Sequence, residues 1–288
     1  MEGIQTKMTR VTIMAAGKGT RWGDHLGTKK HFIEIEGEKI LNRTVRLIKE
    51  YDPAINVNIL GPDETYKIAG ANLVIADPSK EDKFTSSMDC WSTTERNIII
   101  WGDVWFSEEA MKTILGDEEK DWRLFARFDR SVMNGKVYGE CFAISFYPND
   151  ADLFAQHIKR VQEAYNGGKG ELMQDGGWAI YSSILGYELK DRPKRRINYI
   201  LINIDDFTDD FDKPEDLETW LEARKNYYDM TLTEKDTPFL LTNEIWSMFQ
   251  RSGESLMTFF AVIEFIKCDM YNLLTKIKKK KEVNYNEK

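Results

Sequence analysis

The sequence contains few of the residues that build disulfide or zinc frameworks. Its three cysteines, Cys90, Cys141 and Cys268, are odd in number and far apart. Neither a disulfide framework nor a zinc-ligand spacing can be assembled from them. The three histidines also show no ligand spacing. These shortages argue against a disulfide-stapled or zinc-dependent protein and favour a reducing, cytoplasmic setting.

Long apolar runs and an excess of positive charge are also missing. The N-terminal MEGIQTKMTR lacks the apolar core of a signal peptide, and SLMTFFAVI, which ends before Glu264, is too short to span a bilayer. The net charge of -8 argues against broad nucleic-acid binding, which needs a basic surface. We therefore expect neither a membrane nor a nucleic-acid partner. A nucleotide bound with a divalent cation stays compatible, because carboxylates bind such hard ions.

Apolar runs that alternate with amphipathic segments indicate the fold class. Short runs that are apolar nearly throughout are typical of strands covered by helices on both faces, and their alternation with helical segments predicts a mainly parallel sheet. Two later runs predict additional antiparallel strands. The predicted strands are 11–16, 55–60, 72–76, 97–102, 122–129, 135–147 and 198–205, and the predicted helices are 39–51, 85–95, 150–165 and 213–228.

The chain is predicted to comprise two parts, residues 1–228 and a helical C-terminal extension over 229–288. A polar break over 229–238 separates them. Beyond the break, apolar residues recur at helical spacing from Leu256 to Ile277, which predicts a long amphipathic helix. This helix is expected to pack on the main domain or on a second copy of the chain, giving a homo-oligomer.

The stretch VTIMAAGKGTRWG (11–23) raises the main functional question. A strand that ends in small residues lets the backbone approach a ligand, and Gly17 and Gly19 permit a bend whose N–H groups cradle phosphate oxygens. Arg21 adds a planar fork that can grip phosphate. The alternative is an ordinary glycine turn with solvated charges, which is the common meaning of an isolated G-x-G. The stretch matches neither the P-loop nor the full dinucleotide-binding pattern.

The longer segment MAAGKGTRWGDHLGTKKHFIEIEGEKIL (14–41) resembles the signature of the sugar-phosphate nucleotidyltransferases. That signature is roughly A-G-x-G-x-R, a spacer, then K-x-(L/F)-x-x-(I/V)-x-G-x-x-(I/L)-(L/I). The positions that match are Ala16, Gly17, Gly19, Arg21, Lys30, Phe32, Ile35, Gly37, Ile40 and Leu41.

Three further segments extend the resemblance to about residues 10–226. IIIWGDVWFS (98–107) is similar to the strand and G-D that carry the family's first metal-binding aspartate, here Asp103. YGECFAISFY (138–147) is similar to the family's G-E segment, with Gly139 and Glu140 in place. DDFDKPEDLETW (209–220) is similar to the D-x-D-T-P-E-D-L run, which indicates Asp212, or Asp210 as second choice, as the other metal ligand.

The resemblance implies a fold and a site. The expected fold is α/β, a Rossmann-like (GT-A type) mixed, mainly parallel sheet flanked by helices. The expected catalytic residues are Arg21 and Lys30, and the expected Mg²⁺ ligands are Asp103 and Asp212. The residues expected to bind the nucleoside triphosphate are Ala16, Gly17, Lys18, Gly19, Thr20 and Ser86. A loop over residues 175–178, which includes Trp178, is a weaker candidate for binding a sugar.

The leading hypothesis is therefore an Mg²⁺-dependent nucleotidyltransferase that couples an NTP to a sugar phosphate, or a similar small phosphorylated molecule, and releases pyrophosphate. One alternative is a GT-A-type glycosyltransferase that consumes a nucleotide sugar, although such enzymes usually lack the G-x-G-x-R loop. The other is a non-catalytic relative that serves assembly through its C-terminal helix.

Overall fold

The structure is a computed structural model that describes residues 8–23, 25–79, 83–128, 131, 133, 139–165, 176–189 and 199–233. The strands are β1 (Thr9–Met14), β2 (Glu34–Ile35), β3 (Glu38–Lys39), β4 (Asn56–Gly61), β5 (Asn72–Ile75), β6 (Arg96–Trp101), β7 (Val104–Trp105), β8 (Arg123–Arg127), β9 (Glu140–Phe146), β10 (Leu201–Asn203) and β11 (Asp209–Asp210). The α-helices are α1 (Ile40–Tyr51), α2 (Lys83–Ser87), α3 (Glu108–Gly116), α4 (Ala151–Tyr165), α5 (Gly177–Ile184) and α6 (Pro214–Thr233).

Seven of these described strands form one mixed sheet in the order β10-β8-β9-β6-β1-β4-β5. Strand β9 is antiparallel to both of its neighbours, β8 and β6. The other neighbouring strands are parallel. The carboxyl ends of the parallel strands therefore share one edge of the sheet with the amino end of β9. This arrangement confirms the predicted mixed, mainly parallel α/β sheet.

The central strands are buried on both faces, as their apolar sequences predict. In β6, Ile98 and Ile100 belong to a cluster that includes residues of α1 and α3, whereas Ile99 belongs to a second cluster with residues of α4 and α5. All three isoleucines are buried. Successive residues of a strand point to opposite faces, so an unbroken apolar run packs against helices on both faces of the sheet.

A third apolar cluster lies beside the carboxyl edge of the sheet and joins elements that are far apart in sequence. It includes residues from the loop after β1, from β2, α1 and β7, and from the segment that carries β11 and α6. Its members are Trp22, Ile33, Ile35, Ile40, Trp105, Phe207, Phe211, Leu217 and Trp220. The indole N–H of Trp220 donates to the carbonyl oxygen of Phe207 at 2.8 Å, so the polar atom of this buried ring has a partner.

The prediction that residues 72–76 form a strand buried on both faces is wrong in one respect. The strand exists as β5, but it lies at the edge of the sheet, and its residues are exposed or half-buried. The side chain of Ile75 is 48% exposed. An apolar run predicts a strand, whereas the burial of that strand depends on which other strands pair beside it.

The predicted helix over 85–95 is much shorter than expected. Helix α2 ends at Ser87 and a 3₁₀ turn follows over Met88–Cys90. The backbone N–H of Ser92 then donates to the side-chain oxygen of Asn97 at 2.7 Å. This side-chain acceptor replaces a helical carbonyl, so the chain leaves the helix before β6.

The predicted loop over 175–178 is also a helix in part. Gly177 and Trp178 begin α5, and Trp178 is buried. A Cβ atom on Gly177 would lie 2.9 Å from the Cys141 sulfur, so this glycine permits close packing of α5 on β9. Asp175 lies outside the described residues.

The helices predicted over 150–165 and 213–228 are confirmed as α4 and α6, and α6 begins with a proline as expected. The chain divides into two units, Met1–Tyr227 and Tyr228–Lys288. The predicted amphipathic helix of the C-terminal extension lies outside the described residues, so both it and the homo-oligomer stay predictions. Among the described helices, none has the length and apolar character needed to cross a membrane.

Candidate active site

The glycine-rich loop begins where β1 reaches the carboxyl edge of the sheet. The backbone N–H of Ala15 donates to Leu60 O at 2.9 Å, which keeps the end of the strand in the sheet. Gly19 has a φ of +60°, a region that favours glycine. Its carbonyl oxygen accepts the N–H groups of Trp22 and Gly23 at 3.0 and 3.3 Å. The chain therefore turns back sharply just after the strand.

Trp22 anchors this loop in the protein. Its ring is buried in the third apolar cluster, and its indole N–H donates to Thr28 O at 2.9 Å. The bond joins Trp22, the neighbour of Arg21, to Thr28, which lies two positions before Lys30. It therefore holds the backbone near both cationic residues.

Asp103 lies in the tight turn between β6 and β7. The N–H of the preceding residue, Gly102, donates to Met14 O at 2.9 Å. A Cβ atom on Gly102 would lie 2.7 Å from that same oxygen, so no larger residue fits without movement of the backbone. Asp103 therefore follows a glycine that permits close approach of β6 to the end of β1.

Asp212 reaches the same place through the pairing of β7 with β11. Asp210 is opposite Val104 in this pair, and the N–H of Phe211 donates to Asp103 O at 3.3 Å. The Asp216 carboxylate accepts the backbone N–H groups of Asp212 and Lys213 at 3.2 and 3.0 Å. This cap at the start of α6 holds the backbone from which Asp212 projects.

Four predicted residues converge at this point. The ammonium group of Lys30 contacts the Asp103 carboxylate and lies 3.0 Å from Oδ1 of Asp212. The guanidinium of Arg21 lies 2.7 Å from Oδ2 of the same aspartate. Lys30 is 6% exposed, whereas the Arg21 side chain is 64% exposed. One cation is therefore held inside the cluster and the other faces the solvent.

The charges of the cluster depend on one another. Burial by itself lowers the pKa of Lys30, but the attraction and hydrogen bonds of Asp103 and Asp212 outweigh it and raise the pKa above its ordinary value. Lys30 is therefore a cation at neutral pH.

The pair Asp103 and Asp212 has the chemistry of a site for a hard divalent cation. Both carboxylates contact a single ammonium group, so they lie close enough to share one ion. Mg²⁺ is commonly held by one or two carboxylates together with substrate phosphates. In the described ranges, neither this site nor any other has three or more His, Cys, Asp or Glu side chains arranged as a metal-binding group.

Comparisons with known proteins identify the fold. No protein-family model and no curated protein matches the chain. A solved glucose-1-phosphate thymidylyltransferase structure from Bacillus anthracis matches 75% of this chain and 95% of its own, with 13% identity and a TM-score of 0.50. The chain has a sugar-phosphate nucleotidyltransferase fold.

Two further solved structures match over similar lengths with lower TM-scores. The CTP:phosphocholine cytidylyltransferase of Streptococcus pneumoniae is 16% identical and covers 75% of this chain and 98% of its own, with a TM-score of 0.45. The inositol-1-phosphate CTP transferase of T. maritima is 13% identical and covers 76% and 97%, with a TM-score of 0.47. The assignment of the nucleotidyltransferase fold rests on the first structure.

The fold places the remaining predicted ligand-binding residues in two locations. Residues 16–20 form the partly exposed bend after β1, next to Arg21. Ser86 is buried within α2. Its neighbour Ser87 donates its hydroxyl to Phe84 O at 2.7 Å, a local bond within the helix. Binding of a base by Ser86 stays a prediction, as do the roles of the loop residues.

Sequence reasoning gave no role to Glu140, which the fold brings to the same edge. Glu140 is the first residue of the antiparallel strand β9 and is opposite Arg127 of β8. Burial raises the pKa of Glu140 to about 7, and the charges of Asp209 and Asp212 add to the shift. Burial also raises the pKa of Asp210, together with the charge of Glu140. The G-E resemblance marked the position without indicating this environment.

A buried ion pair beneath the cluster was also missed. The guanidinium of Arg127 lies 3.0 Å from the carboxylate of Asp209 and donates to Thr208 O at 3.3 Å. The side chains of Arg127 and Asp209 are 1% and 0% exposed. Because Asp209 lies in β11, the pair fixes the strand that leads to Asp212. Nothing in the local sequence distinguishes Asp209 from the neighbouring acids.

The raised pKa of Glu140 predicts a pH-dependent stability. The folded protein binds a proton between pH 4.5 and about 7 that the unfolded chain has lost. The stabilisation from that proton is present at low pH and disappears as pH rises through 7. Glu140→Gln removes this charge, so the variant is expected to have a higher free energy of unfolding than wild type at pH 8. This difference between variant and wild type is expected to be larger at pH 8 than at pH 5 by roughly 1–3 kcal/mol.

Urea denaturation at both pH values, without divalent cations, measures this difference. Glu222→Gln, at an exposed position on α6, is the matched control and is expected to show no such change with pH. A difference between Glu140→Gln and wild type that is the same at pH 5 and pH 8 would contradict the assignment.

Proposed function

We propose that this protein is an Mg²⁺-dependent nucleotidyltransferase. It couples a nucleoside triphosphate to a small phosphorylated molecule, a sugar phosphate being the leading candidate, and releases pyrophosphate. The observation that carries the proposal is the convergence of Arg21, Lys30, Asp103 and Asp212 beside the glycine-rich bend. This convergence lies at the carboxyl edge of the parallel strands, where ligands of open α/β sheets bind.

The proposed reaction needs alignment and charge neutralisation more than proton transfer. An oxygen of the acceptor phosphate attacks the α-phosphorus, and the bond between that phosphorus and the bridging oxygen to the β-phosphate breaks. A phosphate monoester is already ionised, so no general base is required. The two anionic substrates repel each other, and an enzyme overcomes this repulsion by holding cations and donors around the transferred group.

The residues of the cluster supply those groups. The bend over residues 16–20 would offer backbone N–H groups to the triphosphate. Arg21 offers a guanidinium on the solvent side, and Lys30 offers an ammonium from below. Asp103 and Asp212 would hold Mg²⁺. When bound, this ion supplies further charge neutralisation on the phosphate oxygens.

A substrate panel tests the proposal directly. The protein is incubated with each of ATP, GTP, CTP, UTP and dTTP, with Mg²⁺, and with a set of phosphorylated sugars and alcohols. Release of pyrophosphate and formation of the diphosphate-linked product are measured together. The expected result is release that requires one acceptor and one preferred nucleotide, and that stops when the divalent cation is chelated.

Other results would favour the alternatives. Hydrolysis or transfer from a nucleotide sugar without pyrophosphate release indicates a glycosyltransferase. A protein that is inert toward the whole panel and does not bind nucleoside triphosphates contradicts the proposal and favours a role in assembly.

A further inference from the structure

The position of Lys30 has a consequence for how ligands enter the site. Its single ammonium group contacts both Asp103 and Asp212, the two carboxylates that would hold a divalent cation. Lys30 is almost fully buried, so the ammonium is enclosed with its partners. A cation thus already occupies the space between the two acids.

Arg21 forms an ion pair with the other carboxylate oxygen of Asp212. The guanidinium lies 2.7 Å from Oδ2 of Asp212, while Lys30 lies 3.0 Å from Oδ1. Lys30 and Arg21 therefore both pair with carboxylates of the cluster. The cations proposed to bind phosphate and the acids proposed to bind metal are paired with each other.

This pairing opposes the binding of either ligand alone. A divalent cation that enters alone must displace the ammonium of Lys30 and then remain close to that positive charge. A triphosphate that enters alone meets two cations that are already paired, with the carboxylates close by. Like charges a few ångströms apart in a partly buried site repel each other strongly. When both ligands enter, every charge gains an opposite partner.

We infer that Lys30 is an exchange residue: it neutralises Asp103 and Asp212 in the ligand-free protein and passes to the triphosphate when a divalent cation takes its place. Binding of the cation and of the triphosphate is then mutually dependent, and each ligand raises the affinity of the other by the same factor. The inference rests on the proposed function, because it assumes that both ligands bind at this cluster.

Binding of Mn²⁺ alone tests the inference without any turnover. The concentration of free Mn²⁺ is followed by electron paramagnetic resonance in wild type and in Lys30→Met. Loss of the competing ammonium is expected to tighten Mn²⁺ binding by at least about fivefold, the lower end of usual couplings between sites. A lysine that only supports the fold would weaken Mn²⁺ binding when replaced. Equal or weaker binding by Lys30→Met overturns the inference.

Lys29→Met is the matched control. Lys29 is the adjacent residue, and its ammonium lies 3.2 Å from Asp63 in a pair that is about half exposed on both sides. This replacement removes the same charge outside the cluster and is expected to leave Mn²⁺ affinity within about twofold of wild type, because exposed pairs contribute little. A comparable tightening in Lys29→Met would show a non-specific effect of charge and would contradict the role of Lys30.

A measurement on wild type covers the case in which Lys30→Met does not fold. Reductive methylation of lysines is followed by mass spectrometry with and without saturating Mn²⁺. Displacement of Lys30 from its carboxylates is expected to raise its methylation rate at least about fivefold, with Lys29 as internal reference. An unchanged rate for Lys30 in the presence of bound Mn²⁺ overturns the exchange.

These readouts are separate from the test of the proposed function. If wild type releases pyrophosphate but Lys30→Met does not bind Mn²⁺ more tightly, the nucleotidyltransferase proposal stands and the exchange role of Lys30 is contradicted. If Lys30→Met binds Mn²⁺ more tightly but wild type releases pyrophosphate from no substrate, the exchange of cations is supported and the proposed reaction is contradicted.

Discussion

Asp103→Asn and Asp212→Asn are each expected to lower the rate of pyrophosphate release by about a hundred- to a thousandfold. Each replacement removes one of the two negative charges that are proposed to hold the divalent cation. A metal ion contributes several kcal/mol to the stabilisation of charge in a transition state, and each 1.36 kcal/mol is a factor of ten in rate. The measurement is kcat/KM with the best substrate pair from the panel, at several Mg²⁺ concentrations.

Asp121→Asn is the control for this prediction. Asp121 is exposed in the segment before β8 and is expected to tolerate the same change with full activity. Thermal unfolding of the variants shows whether an inactive protein is still folded. Retention of more than a tenth of wild-type kcat/KM by both Asp103→Asn and Asp212→Asn, in folded protein, would falsify the assignment of these acids.

Arg127→Met is expected to lower the free energy of unfolding by about 3–5 kcal/mol, a large share of the stability of a typical domain. The replacement removes the Arg127 guanidinium from the buried Asp209 carboxylate. The penalty arises because a charge removed from water needs a partner. Chemical denaturation of wild type and variant measures the loss, which is expected to lower activity as well, because β11 leads to Asp212.

A double variant separates the pair from the packing of its members. Arg127→Met combined with Asp209→Asn removes both charges and is expected to recover most of the loss, since the asparagine oxygen can still accept the N–H of Asp210, as the carboxylate does at 3.1 Å. Lys112→Met breaks an exposed pair with Glu109 on α3 and is expected to cost far less, because exposed pairs contribute little to stability. A loss in Arg127→Met no larger than in Lys112→Met would contradict the assigned importance of the buried pair.

The sequence predicted features that depend on local patterns. The apolar run over 97–102 specified a central strand, because both of its faces are buried. The spacing of Gly17, Gly19 and Arg21 specified a sharp bend after β1, because glycine conformations and sheet geometry act over a few residues. The helix α6 was predicted from its first turn alone.

Features that depend on distant pairing were not visible in the sequence. Strand β5 was expected to be buried on both faces, but it is only partly buried because it lies at the end of the strand order. The glycine pair at 176–177 indicated a loop, whereas Gly177 permits a helix to pack on Cys141. The approach of Asp212 and Asp103 to the same Lys30 ammonium depends on β7 and β11, strands of two residues each, which are too short to leave a periodic pattern.

The contact between Lys30 and Asp212 joins residues that are 182 positions apart. Contacts of such separation form only after long loops have closed, which is slow. Synthesis proceeds from the amino terminus, so the ribosome exposes the glycine bend and Lys30 long before it has translated the partner acid. The nascent chain therefore contains Lys30 and Asp103 well before it contains Asp212, which completes the cluster only when nearly three quarters of the polypeptide has been made.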